Sequence, residues 1–305
     1  MEQDSMAQWL RGIAYEMAFW NNVYRWKWTF QGMMGWSHYG KAIDLELFDA
    51  GTFLTPRPDA LVLDVGCGMS YATGNHVVRG EALRPLDLHY VDALAPYFNK
   101  ILRKRRKSLP AIEFGMVEYL SAFYAPGSVD LVIIQNALDH SSQPVKGIIE
   151  SLHVLKPGGV LYLNHHPNEA ETEHYKGFHQ YNIDERDGRL MVWSPQTEVD
   201  VNALVGPFAD IEVKRHDNNH IVGVLRKKGE VVPHLLTDKE DKKALCEQLI
   251  RNAMNATSLW QATRFKLSYW WYNSIQFVAQ ALPWSMKMKV KKMIGQKNLS
   301  ADKKA

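Results

Sequence analysis

The run Val62-Leu63-Asp64-Val65-Gly66-Cys67-Gly68 sets a carboxylate two residues ahead of a Gly-x-Gly pair, at the end of a short apolar stretch. Glycines where a strand hands over to a helix allow turns closed to larger residues and let the backbone approach a ligand. Two nucleotide chemistries use such a loop. A dinucleotide site wants a third glycine, so that a pyrophosphate can rest on a helix N-terminus. That third position is Tyr71 here. A carboxylate at Asp64 does not help an anionic pyrophosphate, but it suits the cationic amino group of a methionine moiety. A tight turn that binds nothing is the alternative.

Tyr90-Val91-Asp92 closes a second apolar stretch. A carboxylate at the C-terminal end of a strand can accept hydrogen bonds from both ribose hydroxyls. Asp92 is favoured for that role over Asp87, which lies inside the apolar run. Capping of the helix near Pro96 is its alternative role.

The elements that must position these groups are legible as patterns. Trp9, Ile13, Met17 and Trp20 recur at helical steps, so residues 1–50 read as helical. From residue 60 strands alternate with helices: Leu61–Val65, Leu86–Val91, a weaker Ile112–Gly115, then Val129–Gln135, whose β-branched run suits a strand buried on both faces. Pro144 starts a helix to about Leu155, Lys156–Gly159 is a turn, and Val160–Asn164 is the next strand. Ile211–Lys214 and Ile221–Leu225 look like a closing pair. Residues 166–200 read as polar loop, 228–243 as charged surface and 244–295 as helical. Such alternation implies a mainly parallel sheet with right-handed crossovers.

Four motifs then stand in order over roughly residues 60–165: the Asp64–Gly68 loop, Phe114–Leu120, Val129–His140 and Lys156-Pro157-Gly158-Gly159. Together they resemble the class I S-adenosylmethionine-dependent methyltransferases, small-molecule branch. The resemblance implies an α/β Rossmann-like fold with a mainly parallel seven-stranded sheet. The helical N-terminal extension would span 1–58, the methyltransferase domain 59–228 and a helical basic C-terminal extension 229–305. It implies S-adenosylmethionine as cofactor, held by Asp64, Gly66, Gly68, Asp92 and Asn136. The family's adenine-binding aspartate is matched by Met116, so Glu118 or backbone amides around Val117 would replace it. The segments Tyr15–Trp20 and Gly177–Tyr181 resemble methyltransferases of bacterial surface-glycan synthesis, which points to polysaccharide biosynthesis and a glycan-linked acceptor.

Methyl transfer is an in-line displacement, and alignment of the two reacting atoms lowers its barrier. A hydroxyl acceptor must also lose its proton. His140, after the fourth strand, is the first choice for that base, because imidazole titrates near neutrality. Its alternative role is to hold the loop or the cofactor. The cluster His165-His166-Pro167-Asn168-Glu169, with His174, Tyr175, His179, Gln180 and Tyr181, offers the donors, acceptors and ring faces of an acceptor pocket. Glu169 and His179 are the second-rank catalytic residues. The histidine spacing matches no metal signature, so no metal is expected.

Composition sets the limits. The chain has 305 residues, a formal charge of +3 and two cysteines. The small charge gives no reason to expect nucleic acid as a partner, and the cysteines suggest a reducing compartment. No secretory signal is apparent, and no uninterrupted apolar stretch reaches the roughly 18 residues of a membrane span. The expectation is a cytoplasmic protein acting on a small or glycan-linked acceptor. Nine of the ten tryptophans lie near the two ends, and Lys287, Lys289, Lys291 and Lys292 follow Trp270, Trp271 and Trp284. A helix packed on the core, with Trp270 and Trp271 shielded, is preferred for this C-terminal region. Peripheral contact with the inner face of a membrane is the alternative. The rival functions are a non-catalytic membrane-associated scaffold and a nicotinamide-dependent oxidoreductase. Nothing sets an oligomeric state.

Overall fold

Val129–Gln135 is apolar at most positions because strands flank it on both sides, the helix Pro144–Val154 covers one face, and Ile43, Leu45 and Val77 pack on the other. The computed structural model describes residues 2–49, 51–175, 177–216, 219–236 and 259–282, with Ala244 and Met286. In chain order its strands are β1 (Leu61–Val65), β2 (His76–Arg79), β3 (Ala82–Pro85), β4 (Asp87–Asp92), β5 (Glu113–Phe114), β6 (Val129–Gln135), β7 (Leu155–His165), β8 (Asn182–Arg186), β9 (Arg189–Ser194), β10 (Thr197–Asp200), β11 (Ala209–Arg215) and β12 (Ile221–Lys227). The helices are α1 (Glu2–Val23), α2 (Lys27–Trp36), α3 (Ala95–Lys104), α4 (Pro144–Val154), α5 (Glu169–Thr172), α6 (Val201–Val205) and α7 (Leu259–Ala281).

A seven-stranded sheet runs β11-β12-β7-β6-β1-β4-β5. The five strands from β5 to β7 are parallel, and β12 and β11 close the sheet antiparallel. Asp64 pairs with Tyr90 and Ile133, and Gln135 pairs with Asn164. The carboxyl ends of β1, β4, β6 and β7 therefore meet along one edge.

The sequence reads as helical over residues 1–50, but helix stops at Trp36 and residues 37–49 are extended or turn, bridging Ala42 to His76; the structure corrects the sequence-based expectation at four further places. The glycine loop does not hand over to a helix. The chain crosses from β1 to β4 through a loop and the β2–β3 hairpin. The N-terminal helices take the space beside the loop: the Tyr24 hydroxyl donates to the Met69 carbonyl at 2.6 Å, and the Tyr71 carbonyl accepts from the His38 amide at 2.9 Å. Second, the Lys156–Gly159 turn lies within β7 as a bulge, since Val129 pairs with Leu155 while Leu131 already pairs with Val160. Third, residues 182–200 are a three-stranded antiparallel sheet rather than loop. Ile183, Leu190 and Val192 of that sheet are buried in the main core.

The fourth correction concerns α7. It does pack on the protein: Asn273 Oδ1 accepts from Asn21 and Asn22, Tyr272 meets Tyr15 edge-on, and Phe277 lies against Trp26. Yet Trp270 and Trp271 are 68% and 61% exposed. They sit on the opposite face of the helix and are not shielded. Lys287, Lys289, Lys291 and Lys292 lie outside the described residues.

Helix α1 joins the α/β core through one hydrophobic cluster. Ile13, Trp20, Val23 and Tyr24 pack with Met69, Tyr90 and Phe98. Tyr24→Phe leaves the buried Met69 carbonyl without its donor and should cost about 1–3 kcal/mol. Tyr24→Ala also opens a cavity and should cost about 3–5 kcal/mol. Urea denaturation monitored by circular dichroism measures both losses.

Candidate active site

A cavity of about 720 Å³ lies at the carboxyl ends of the parallel strands. Open α/β sheets bind their ligands at this edge. Asp64, Gly66, Gly68, Asp92, Glu118, Asn136, His140, Glu169 and His179 all line it, so the structure brings every candidate from the sequence into one space.

The floor is the glycine loop. Gly66 and Gly68 have φ of +72° and +54°, in the left-handed region. A Cβ on Gly66 would lie 2.5 Å from the Ala137 Cβ, and one on Gly68 would lie 2.7 Å from the Trp20 ring. Both glycines are thus required by conformation and by close packing.

Asp64 is 3% exposed, and burial raises its pKa to about 7 despite a hydrogen bond from Thr73. Asp92 ends β4, whereas Asp87 begins it at the opposite edge of the sheet. The Asp92 carboxylate accepts from the Gly68 amide at 2.9 Å and the Leu94 amide at 2.7 Å. Burial still lifts its pKa to about 6. Asp92 therefore fixes the glycine loop and the entry to α3 while facing the cavity.

Glu118 is buried, and one of its oxygens accepts from both the Ser142 amide and hydroxyl, at 2.7 and 2.8 Å. It ties the 3-10 turn Val117–Ala122 to the loop entering α4. Asn136 adopts φ +48° and accepts from the His166 amide through Oδ1 at 3.2 Å. Met116 also lines the cavity.

Asp139 is the centre of the second group. It is buried, and its Oδ2 lies 2.8 Å from His179 Nδ1 and 3.5 Å from His140 Nε2. The His140 and His179 rings meet edge-on at 4.4 Å between centroids. Burial opposes ionisation of Asp139, but the imidazoles of His140 and His179 prevail and lower its pKa to about 2. Burial likewise opposes protonation of His179. The hydrogen bond and charge of Asp139, with Glu169 and Glu173 nearby, outweigh it and raise the imidazole's pKa. His165, 4.0 Å from Asp139 Oδ1, is pushed down to about 4 by burial and stays neutral. Burial raises the pKa of Glu169, as does the charge of Asp139. Asp139, His140 and His179 offer ligand atoms within 4.8 Å of one another, a set that could hold a metal ion.

Three contributors escaped sequence reasoning as site residues. Asp139 was visible beside His140, but only the fold shows that it lies under His179. Glu16 and Trp20 come from α1, where Trp20 Nε1 donates to Glu16 Oε1 at 2.7 Å. Their signal was a carboxylate one turn before a tryptophan on an otherwise apolar helix face.

Residues 63–163 match the family model described as a methyltransferase domain. The chain is 34% identical over 110 residues to a ubiquinone biosynthesis O-methyltransferase of Xanthomonas campestris pv. campestris, covering 35% of this chain and 43% of that one. It is 27% identical over 123 residues to an uncharacterized 37.1 kDa protein in transposon TN4556 of Streptomyces fradiae, covering 40% and 33%. The chain thus spans less than half the length of these curated relatives. Among solved structures it is similar to an S-adenosylmethionine-dependent methyltransferase from Mesorhizobium loti, with TM-score 0.34, 14% identity and coverage of 56% and 93%. A trans-methyltransferase in complex with SAH gives TM-score 0.31, 19% identity and coverage of 40% and 36%.

The Asp139–His179 pair makes a measurable prediction. Asp139→Asn removes the charge that keeps His179 easy to protonate, so an NMR titration should show the His179 pKa falling. A histidine with a raised pKa contributes stability below its unfolded value of about 6.5 and loses it as pH rises through the folded value. The Asp139→Asn penalty, read as melting temperature, should therefore be larger at about pH 5.5 than at about pH 9.

Proposed function

We propose that this chain is a class I S-adenosylmethionine-dependent methyltransferase that moves a methyl group to a hydroxyl or amine of a small or glycan-linked acceptor, a reading supported by the methyltransferase-domain match over residues 63–163. One observation carries the reading. A single cavity sets two buried carboxylates, Asp64 and Asp92, beside a carboxylate–histidine group built from Asp139, His140 and His179.

The residues present fit the cofactor. Asp64 is buried with a pKa of about 7, and the positive charge of a methionine ammonium would hold it ionised. Asp92 would accept from the ribose hydroxyls, the amides of the Gly66–Gly68 loop would approach the ligand, and Asn136 with Glu118 would bound the adenine side. When bound, S-adenosylmethionine supplies a methyl carbon activated by its sulfonium. A pyrophosphate finds no such fit, because the glycine loop leads into no helix whose N-terminus could receive it.

His179 and His140 are the candidates to take the acceptor's proton. His140 is the first choice from the sequence and His179 the second; the contact of His179 with Asp139 supports weighing the two together. Asp139 holds His179 Nδ1, which leaves Nε2 as the nitrogen able to act as base, in the manner of an oriented carboxylate–histidine dyad. His140 stands edge-on beside it. Glu169, with its raised pKa, is suited to donate a hydrogen bond to the acceptor. The O-methyltransferase named among the relatives supports oxygen as the atom methylated. The glycan-linked acceptor rests on the Gly177–Tyr181 segment, whose Phe178 and His179 line the cavity. We place the protein in the cytoplasm; no helix among the described residues is long and apolar enough to cross a membrane. The chemistry proposed needs no metal, so turnover should survive a chelator.

Calorimetry tests the cofactor. S-adenosylmethionine and S-adenosylhomocysteine should bind and NADH should not, and binding near pH 6 should release protons as Asp64 ionises. Asp92→Ala should weaken binding by about 2–3 kcal/mol, while Asp87→Ala leaves it unchanged. Binding of NADH alone would sink the reading.

A mass-shift screen of glycans, nucleotide sugars and phenols identifies the acceptor. With it in hand, removing the base should lower turnover about 100- to 10,000-fold with cofactor affinity nearly intact. His179→Ala and His140→Ala measure which imidazole carries that loss. For the wild type kcat/KM should rise with pH through an inflection above the free-imidazole value, and Asp139→Asn should move that inflection down.

A further inference from the structure

Along α7 the outward residues Leu267, Trp270, Trp271, Ile275 and Val278 are exposed by 61, 68, 61, 44 and 58%. Their spacing puts them on one stripe, opposite the face that carries Tyr272, Asn273 and Gln276 toward α1. On α2, Trp28 and Trp36 are 51% and 79% exposed, and no residue of that helix is buried. The two helices touch, because Trp28 Nε1 donates to the Gln280 carbonyl at 2.9 Å. Single exposed apolar residues are ordinary, but a continuous aromatic stripe marks an interaction surface.

The charges on these two helices have one sign. Neither α2 nor α7 contains an aspartate or glutamate, while Lys27, Arg264 and Lys266 are exposed. The sequence after residue 282 adds seven lysines, four of them at 287–292, against one acidic side chain, Asp302. Tryptophan favours the boundary between water and acyl chains, and cations favour anionic headgroups. A second copy of this chain would instead bring like charges together across the face. Trp36 also lines the cavity, so its mouth belongs to the same helical layer.

We propose that the α2–α7 face rests on an anionic lipid surface, and that the cavity draws its methyl acceptor from molecules anchored there. The second clause rests on the methyltransferase reading above; the first does not. Lying on the surface suffices, since none of the described helices can cross the bilayer.

The test uses the full chain and vesicles of phosphatidylcholine, with or without about one-third phosphatidylglycerol. Sedimentation should show binding to the anionic vesicles only, weakening as salt screens the attraction. Trp270→Ser with Trp271→Ser, and separately Arg264→Glu with Lys266→Glu, should each lower partitioning about tenfold or more. Far-UV circular dichroism and S-adenosylmethionine affinity should stay unchanged in both. Equal binding to neutral vesicles, no binding, or variants that bind like the wild type would overturn the proposal. So would a dimer in ultracentrifugation that the Trp variants abolish, which would assign the face to a second copy. Labelled methyl from S-adenosylmethionine should enter the lipid extract of membranes from the producing cells. Label confined to the aqueous extract would overturn the second clause. Vesicle binding without S-adenosylmethionine binding would instead sink the methyltransferase reading and leave the surface standing.

Discussion

Trp20 lies against the bare Cα of Gly68, and a few residues on Tyr24 donates to the Met69 carbonyl. These contacts hold the chain as it leaves β1, at the place where an α/β fold commonly sets a crossover helix. Here the segment ahead of β1 takes that place: α1 packs on the loop, while Ile43 and Leu45 with Val77 of the β2–β3 hairpin cover the sheet face at Val62 and Ile133. Asp92 fastens the same loop from the other side through the Gly68 amide. The loop, the end of β4 and α1 therefore form one unit, and the cavity exists because that unit keeps its shape. The Ala137 side chain against Gly66 extends the constraint to the loop after β6, which carries Asp139 and His140.

The two halves of the cavity differ in electrostatic character. On the loop side, burial outweighs every favourable contact of Asp64 and Asp92, and desolvation keeps both easy to protonate. On the other side, Asp139 is equally buried but surrounded by imidazoles, which keep it ionised. Burial is common to the three aspartates, so the neighbours decide. The first pair suits a ligand that brings positive charge. The third is already paired and suits the orientation of a base.

The parallel sheet was legible because β1, β4, β6 and β7 are apolar runs bounded by turn residues. The carboxylates at the ends of β1 and β4 fell where strand direction places them. What stayed hidden was mostly non-local. Residues 182–200 read as loop because charged residues occupy the outward positions of a sheet whose inward ones are Ile183, Leu190 and Val192; the Asp187-Gly188 pair was the available hairpin signal. The Asp139–His179 contact spans 40 residues and no local pattern encodes it. The missing crossover helix could not be foreseen from Gly66 and Gly68, since the same glycines serve either path. Their double role also means that a Gly-x-Gly pair here reports packing as much as ligand binding.

Helix α1 has a neighbour on each side. Glu16 and Trp20 wall the cavity, while Tyr15, Asn21 and Asn22 meet α7. Any ligand that steadies α1 from one side alters the cost of ordering it from the other. Thermodynamic reciprocity then requires equal coupling in both directions. The cavity and the outer helix thus meet at α1, an element that both touch.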